Sequence, residues 1–371
     1  MVGAIHRSRG PVPDHSGAVA RGGRRGSGGG REMTTAPIQE WGRRLSDAIR
    51  VALHAGDLQA ARRLAIEGDG QARSLAKEYA LMYRGLGITV RVLLGLLADT
   101  ASTEVAELAR RFRLDMARLV APTDSDEPAT TNLGGGLDEE LRRAARCLEA
   151  GEEQFDQEQA RLADEVVLAI ETGDVGRAHA CLDLKERGHY VPRHDRLIRF
   201  MAESFGSVLR RSGPAALLDL HMATAEGQRR GFERWEQMSP EEFAWTSAYL
   251  LKQHMGRLEV TEDAEKFTFE QSLCGSGGAL VLRGAYAGPE ALPYVEGPGP
   301  LTAGEPRLAV YCSHCPIWNG VAPLRWFGRP HWVFERPSRP DGSCTMHIYK
   351  HRDGAPDTYI RALTAPGDGG L

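Results

Sequence analysis

Residues 239–262 read SPEEFAWTSAYLLKQHMGRLEVTE, and the spacing of the apolar residues changes within this stretch. Ser239, Pro240 and Glu242 match a capping box with proline in the first helical turn, so we expect a helix to begin here. Apolar residues then recur at helical spacing to about residue 255. From Arg257 the chain alternates and becomes β-branched, as is typical of a strand. A helical region followed by strands predicts an α+β fold with a small, mainly antiparallel sheet.

Helical periodicity upstream covers residues 37–121 and 137–256, which we interpret as two helical units. Residues 122–136 between them are polar, acidic and rich in glycine and proline, which is typical of a flexible linker. A Gly/Arg/Ser-rich head at residues 1–36 and a tail at residues 362–371 are expected to be disordered, with Met33 as a candidate true start. Residues 257–361 form the predicted α+β domain.

The two helical units share a short motif. VALHAGDL at residues 51–58 aligns with LAIETGDV at residues 168–175. In each copy the glycine, Gly56 or Gly173, can take the left-handed conformation that ends a helix, and the aspartate, Asp57 or Asp174, can cap the next. Both segments are therefore predicted to be helix–turn–helix hairpins. Because a Gly-Asp turn is a common solution, the motif alone leaves duplication open.

Composition restricts the class of protein. The 371 residues carry a formal net charge of −4, which disfavours nucleic-acid binding. No stretch approaches the roughly 20 apolar residues of a membrane span, and the head lacks the apolar run of a signal peptide. We therefore expect a cytoplasmic protein with a small-molecule substrate, no nucleic-acid or membrane partner, and any homo-oligomer contact in the helical region. Cysteines stay reduced in the cytoplasm and act as ligands, nucleophiles or core residues.

The sharpest local motif is Cys312-Ser-His314-Cys315. Two thiols three positions apart can chelate one metal ion, and His314 offers a further nitrogen. A zinc site, or a site for another divalent transition metal, would need further ligands from Cys274, Cys344 or His331. In a second interpretation without metal, Cys274 or Cys312 is a nucleophile and His314 is its base.

The neighbouring segments are predicted from their apolar runs. Residues 308–312 and 344–349 are expected to be strands, with Cys312 and Cys344 on the buried face at their ends. Residues 279–282, after the glycine-rich turn Cys274-Gly-Ser-Gly-Gly278, are expected to form another strand, which excludes a dinucleotide-binding turn. The glycine-rich turn could expose Cys274 to a ligand or simply form a tight hairpin. The Pro/Gly-rich residues 287–306 could be a lid or a long connection. Buried cysteines can also be ordinary core residues.

Three of these features occur together: Cys274 at the end of a strand, Cys312 at the end of a second strand, and Gly342-Ser-Cys344-Thr-Met-His leading a third. Over residues 259–350 this order resembles the bacterial L-2-amino-thiazoline-4-carboxylate hydrolases and related small ligand-binding domains. The resemblance covers about a quarter of the chain, and the Cys-Ser-His-Cys form is not typical of that family. It implies hydrolysis of a C–N or C–S bond in a small ring derived from an amino acid.

The sequence thus favours an enzyme of small-molecule metabolism, a hydrolase that works through a Cys/His metal site or a Cys-His thiol pair. The alternative is a helical scaffold without enzymatic activity, whose C-terminal domain is held by a structural zinc ion or senses a ligand.

Overall fold

The computed structural model describes residues 36–98, 102–120, 137–337 and 339–365. The predicted linker at 122–136 and the predicted head, apart from Ala36, lie outside these residues. From Ala36 onward the described residues belong to one compact unit. Helices come first and a small antiparallel sheet follows, so the α+β fold is confirmed.

Within the described residues, nine α-helices precede the sheet: α1 (Leu45–His54), α2 (Leu58–Glu67), α3 (Ala80–Leu97), α4 (Thr103–Val120), α5 (Leu137–Glu171), α6 (Val175–Asp183), α7 (Val191–Glu226), α8 (Arg229–Glu236) and α9 (Pro240–Lys252). A π-helical stretch, Leu184–Tyr190, joins α6 to α7. Gly213, with φ 81°, interrupts α7 just before Pro214. The predicted capping box at α9 is confirmed, since Ser239 and Glu242 each bond the backbone N–H of the other.

The helical hairpins form as predicted at both copies of the shared motif. Gly56 and Gly173 have φ of 72° and 74°, and Asp57 and Asp174 each accept a hydrogen bond from a backbone N–H in the first turn of the following helix. The apolar residues of both hairpins share one core. It contains several pairs of aligned positions: Ile49 and Val166, Ala52 and Ala169, Leu53 and Ile170, Ala61 and Ala178.

Contacts between the two hairpins are reciprocal. His54 meets His179 edge to face at 4.9 Å, and Glu171 accepts a 2.7 Å bond from Arg62. In the alignment His54 corresponds to Glu171, and Arg62 corresponds to His179. The contact between His54 and His179 is therefore equivalent to the contact between Glu171 and Arg62 with the two copies exchanged. Such exchanged contacts are typical of two halves related by a twofold axis.

The main sheet has the order β1 (Arg257–Glu262), β2 (Lys266–Leu273), β6 (Cys344–Tyr349), β5 (Val333–Arg336), with every pair antiparallel. The predicted hairpin between the last two strands is confirmed by their pairing. A second sheet pairs β3 (Tyr294–Glu296) with β4 (Arg307–Ala309), so the stretch at 287–306 contributes a short strand. Helix α13 (Asp357–Thr364) follows the sheets and crosses the predicted boundary at residue 361.

Two predicted strands are wrong in whole or in part. Residues 279–282 belong to a short helix, α10 (Gly277–Leu282), because a run of four apolar residues fits a buried helix as well as a strand. The predicted strand at 308–312 ends at Ala309, and Val310–Ser313 form a 3-10 turn. Its partner β3 begins at Tyr294 and follows Pro293, which has no N–H to extend the ladder.

One hydrophobic core connects the helices to the sheets. It includes residues of α3, α4, α7 and α9 together with the inner faces of β2, β4 and β6. Trp41 at the start of the described chain stacks on Phe267 of β2 with ring centroids 6.0 Å apart. Helical segment Leu75–Leu97 is long and apolar enough to cross a membrane by length and composition, but 56% of its apolar window is buried inside the protein. Such burial is typical of the core helix of a soluble protein.

Candidate functional site

The Cys-Ser-His-Cys motif forms a helical turn at the end of β4. After Val310–Ser313 the chain continues as α11 (His314–Pro316), a π-helical stretch Ile317–Val321, and α12 (Ala322–Phe327). Cys312 and Cys315 therefore lie about one helical turn apart. Cys312 is buried as predicted, although it lies in a helical turn and not at the end of a strand.

His314 is fixed at both ring nitrogens. Nδ1 lies within hydrogen-bond distance of the Tyr311 carbonyl oxygen, and Nε2 lies 3.5 Å from Sγ of Cys315. A carbonyl only accepts, so Nδ1 must carry the proton and donate it. Nε2 then holds the lone pair and can accept the Cys315 S–H. The thiol that the structure places on this imidazole is thus Cys315, whereas the sequence suggested Cys274 or Cys312.

The other two predicted thiols belong to the same region. Cys274 follows β2; its N–H donates to the Gly342 carbonyl at 2.9 Å, and its Sγ lies 3.4 Å from Ser276 Oγ. Cys344 is the first residue of β6, two positions beyond Gly342, and is buried as predicted. Gly277 packs against Cys312 so closely that an added Cβ would lie 2.3 Å from its Sγ. The glycine-rich turn thus brings β2, β6 and the Cys312 turn together.

The pKa of Cys315 reflects this neighbourhood. Burial raises the pKa of the Cys315 thiol well above its ordinary value, and Cys312, Cys344 and Cys274 each raise it further. Cys312, Cys344 and Cys274 are therefore each close enough to influence Cys315 electrostatically. Burial also lowers the pKa of His314 to about 4, although its bond to the Tyr311 carbonyl opposes the shift. At neutral pH the pair is a neutral thiol beside a neutral imidazole.

The site residues nevertheless keep part of their accessible surface. Cys274, His314 and Cys315 are partly exposed, in contrast to the buried Cys312 and Cys344. Cys274 and the His314–Cys315 pair are therefore the reachable chemical groups of the cluster.

His331, predicted as a metal ligand, has different side-chain contacts. Its Nε2 lies 3.1 Å from Glu236 Oε2, and its ring stacks on Phe327 at 5.4 Å. Burial lowers its pKa to about 4, against the opposing effect of Glu236. Among the described residues, no group of three or more His, Cys, Asp or Glu side chains is arranged to hold a metal ion. The six cysteines, all within the described ranges, form no disulfide.

Sequence reasoning missed three histidines around the cluster. His221 of α7 lies 2.8 Å from Ser313 Oγ, inside the Cys-Ser-His-Cys motif. His194, at the start of α7, lies 2.9 Å from His254, which follows α9. The His254 carbonyl packs on Gly275, next to Cys274. Their partners lie 60 to 92 positions away in sequence, so no local spacing could have singled them out.

Comparisons with models of protein families, with curated proteins and with solved structures find no match to this chain. The resemblance to the thiazoline-carboxylate hydrolases stays a prediction from the sequence, and the function has to be argued from the site.

Proposed function

We propose that this protein is a small-molecule hydrolase in which Cys315 is the nucleophile and His314 is its base. The observation that carries the proposal is the 3.5 Å approach of His314 Nε2 to Cys315 Sγ, with Nδ1 held by the Tyr311 carbonyl. A thiol beside a base that is itself oriented by a third group is the arrangement of nucleophilic catalysis.

The neutral state of the pair determines how it would work. Because the thiol pKa is raised and the imidazole pKa is lowered, the resting site holds S–H and a free Nε2. As Sγ bonds to an electrophilic carbon of the substrate, its proton passes to Nε2. The C–N or C–S bond of the substrate then breaks, and the leaving nitrogen or sulfur takes that proton. Water hydrolyses the resulting covalent intermediate, in which the substrate carbon is bonded to Sγ, giving one proton to Nε2, which returns it to Sγ as the C–S bond to Cys315 breaks.

The surroundings suit a small substrate in a reducing compartment. The pair is only partly exposed, which favours a compact ring over a polymer as the group that reaches it. Three further thiols close by would oxidise readily outside the cytoplasm, so we infer a cytoplasmic location. A thiol mechanism also needs no group of three metal ligands, and the described residues hold no such group for zinc or another divalent metal.

The proposal is tested with L-2-amino-thiazoline-4-carboxylate as the probe, since the sequence resemblance points to such rings. We expect the wild type to convert it to a product one water heavier, detected by mass spectrometry. Cys315→Ser should lower the rate by about 10²-fold or more, because a hydroxyl is a far weaker nucleophile than a thiol. Cys147→Ser, which changes a partly buried thiol on α5, is the matched control and should keep the rate.

Two results would overturn the proposal. Turnover by Cys315→Ser at the wild-type rate would exclude Cys315 as the nucleophile. Absence of product with the wild type would exclude hydrolysis of such rings as the activity. Elemental analysis of the same samples separates the metal alternative. Stoichiometric zinc that is lost in Cys312→Ser would replace the thiol mechanism with a metal mechanism.

A further inference from the structure

A chain of three side chains leads from the surface toward the cysteine cluster. Oδ1 of Asp195 lies 2.9 Å from Nδ1 of His194, and Nε2 of His194 lies 2.9 Å from Nδ1 of His254. His194 has no exposed surface, whereas the Asp195 side chain is 28% exposed. Asp195 lines an open surface pocket with three arginines, Arg118, Arg196 and Arg199. One end of the chain therefore reaches solvent.

The inner end of the chain lies at the candidate site. An added Cβ on Gly275 would lie 1.7 Å from the His254 carbonyl oxygen, so the backbone of His254 is packed against the Cys274 turn. Burial lowers the pKa of His254 well below its ordinary value, and charges on His194 and His314 lower it further. His254 is partly exposed, like His314 and Cys315. Asp195, at the outer end of the chain, is tied to the segment that follows the Cys274 turn: it forms an ion pair with Arg283, directly after α10.

The order of donors and acceptors follows from the carboxylate. Burial alone would raise the pKa of Asp195, but the bonds from His194 and Arg283 lower it overall, so the group is ionised and only accepts. In the neutral ring of His194, Nδ1 must then carry the proton, which leaves the lone pair on Nε2. That nitrogen needs a donor, so Nδ1 of His254 is protonated. The lone pair of His254 is therefore on Nε2.

We propose that Asp195 and His194 are positioning residues that hold Nε2 of His254 unprotonated, as a second proton acceptor connected to solvent beside the Cys274 turn. A proton that reaches Nε2 of His254 releases the Nδ1 proton to Nε2 of His194. His194 then releases its own Nδ1 proton to Asp195, which gives it to water at the surface. The reverse sequence restores the starting tautomers. This role rests on the proposed function, in which protons must enter and leave a largely buried site.

The tautomers can be measured without any substrate. Full-length protein with ¹⁵N-labelled histidine distinguishes a protonated from an unprotonated ring nitrogen by its NMR shift, and a His254→Gln sample assigns the His254 signals. We expect both His194 and His254 to be protonated on Nδ1 at pH 7. Asp195→Asn should change the tautomer of at least one of the two rings, because an amide can donate as well as accept. Asp115→Asn, a carboxylate of the same surface pocket, is the matched control and should leave both rings as they are.

Two NMR results would overturn the proposal: a wild-type His254 protonated on Nε2, or unchanged tautomers of both rings in Asp195→Asn. The wild-type spectrum decides the first even if the variant folds poorly. If the thiazoline probe is turned over, Asp195→Asn should lower kcat about tenfold or more with little change in KM. If it is not turned over, the tautomers still test the relay, so failure of the two proposals can be told apart.

Discussion

His314 Nε2 lies 3.5 Å from Sγ of Cys315, the next residue in the chain. Neighbouring positions on a helix point about 100° apart and do not normally face each other. The contact forms here because the Tyr311 carbonyl draws Nδ1 back along the turn and directs Nε2 toward the sulfur. A backbone carbonyl thus takes the orienting position that a carboxylate or an amide side chain has in Ser-His-Asp and Cys-His-Asn triads.

Acid should destabilise the fold before the carboxylates titrate. Burial lowers the pKa of His189, His314 and His331 to about 4 each, against an ordinary value of 6.5. Between pH 6.5 and 4 these histidines are protonated in the unfolded chain but not in the folded chain. The free energy of unfolding therefore falls as the pH drops through this range. Each histidine contributes at most about 3 kcal/mol to this loss.

Urea unfolding at several pH values from 7.5 to 4.5 measures this loss. His189→Gln should make the free energy of unfolding depend less on pH, because the variant lacks one histidine that binds a proton only in the unfolded chain. Val51→Ala, at an exposed position of α1 without a titratable group, should retain the wild-type dependence. An unchanged pH dependence in His189→Gln would contradict the assignment.

Gly277→Ala tests how closely the glycine-rich turn approaches the cysteine cluster. The new Cβ would lie 2.3 Å from Cys312 Sγ and 3.2 Å from a ring carbon of Tyr311, so the turn or the thiol must move. We expect a loss of about 1–3 kcal/mol in thermal or urea unfolding. Gly95→Ala, in an open position of α3, should instead stabilise by about 0.5–1 kcal/mol. Equal effects at the two positions would refute the close approach.

The two hairpins should respond alike to loss of their caps. Asp57 and Asp174 occupy equivalent positions, and each accepts a backbone N–H at 2.8–2.9 Å. Asp57→Ala and Asp174→Ala should each cost about 1 kcal/mol, because each leaves one N–H of a first helical turn without its acceptor. Chemical denaturation measures both. A cost confined to one of them would show that the hairpins are not equivalent in stability.

The sequence predicted elements whose signals are local. The capping box at Ser239, the left-handed Gly56 and Gly173, and the change of period at Arg257 all appear at the expected positions. Short apolar runs were ambiguous. Residues 279–282 fold as a helix because Gly277 and Gly278 let the chain approach Cys312 and Gly342 closely, a contact that no local pattern encodes.

For the candidate site, the sequence named residue types and a region but not which side chains would meet. The cysteines named from the sequence do gather around one turn. His331 instead bonds Glu236 of α8, a contact between residues 95 positions apart that no local pattern encodes. His194 and His254 were missed for the same reason, since a hydrogen bond across 60 positions is set by the tertiary fold.

Alkylation of Cys315 tests most directly whether His314 activates it. Native protein is treated with iodoacetamide at pH 7.5, and the modified peptides are quantified over time for the wild type and His314→Gln. Because His314 Nε2 can take the S–H proton as Sγ reacts, we predict that Cys315 of the wild type is alkylated faster than the buried Cys344 despite its raised pKa. His314→Gln should slow Cys315 about tenfold or more without a comparable change at Cys274. A Cys315 that stays unmodified in the native wild type, or one that reacts equally fast in His314→Gln, would contradict the thiol–imidazole site.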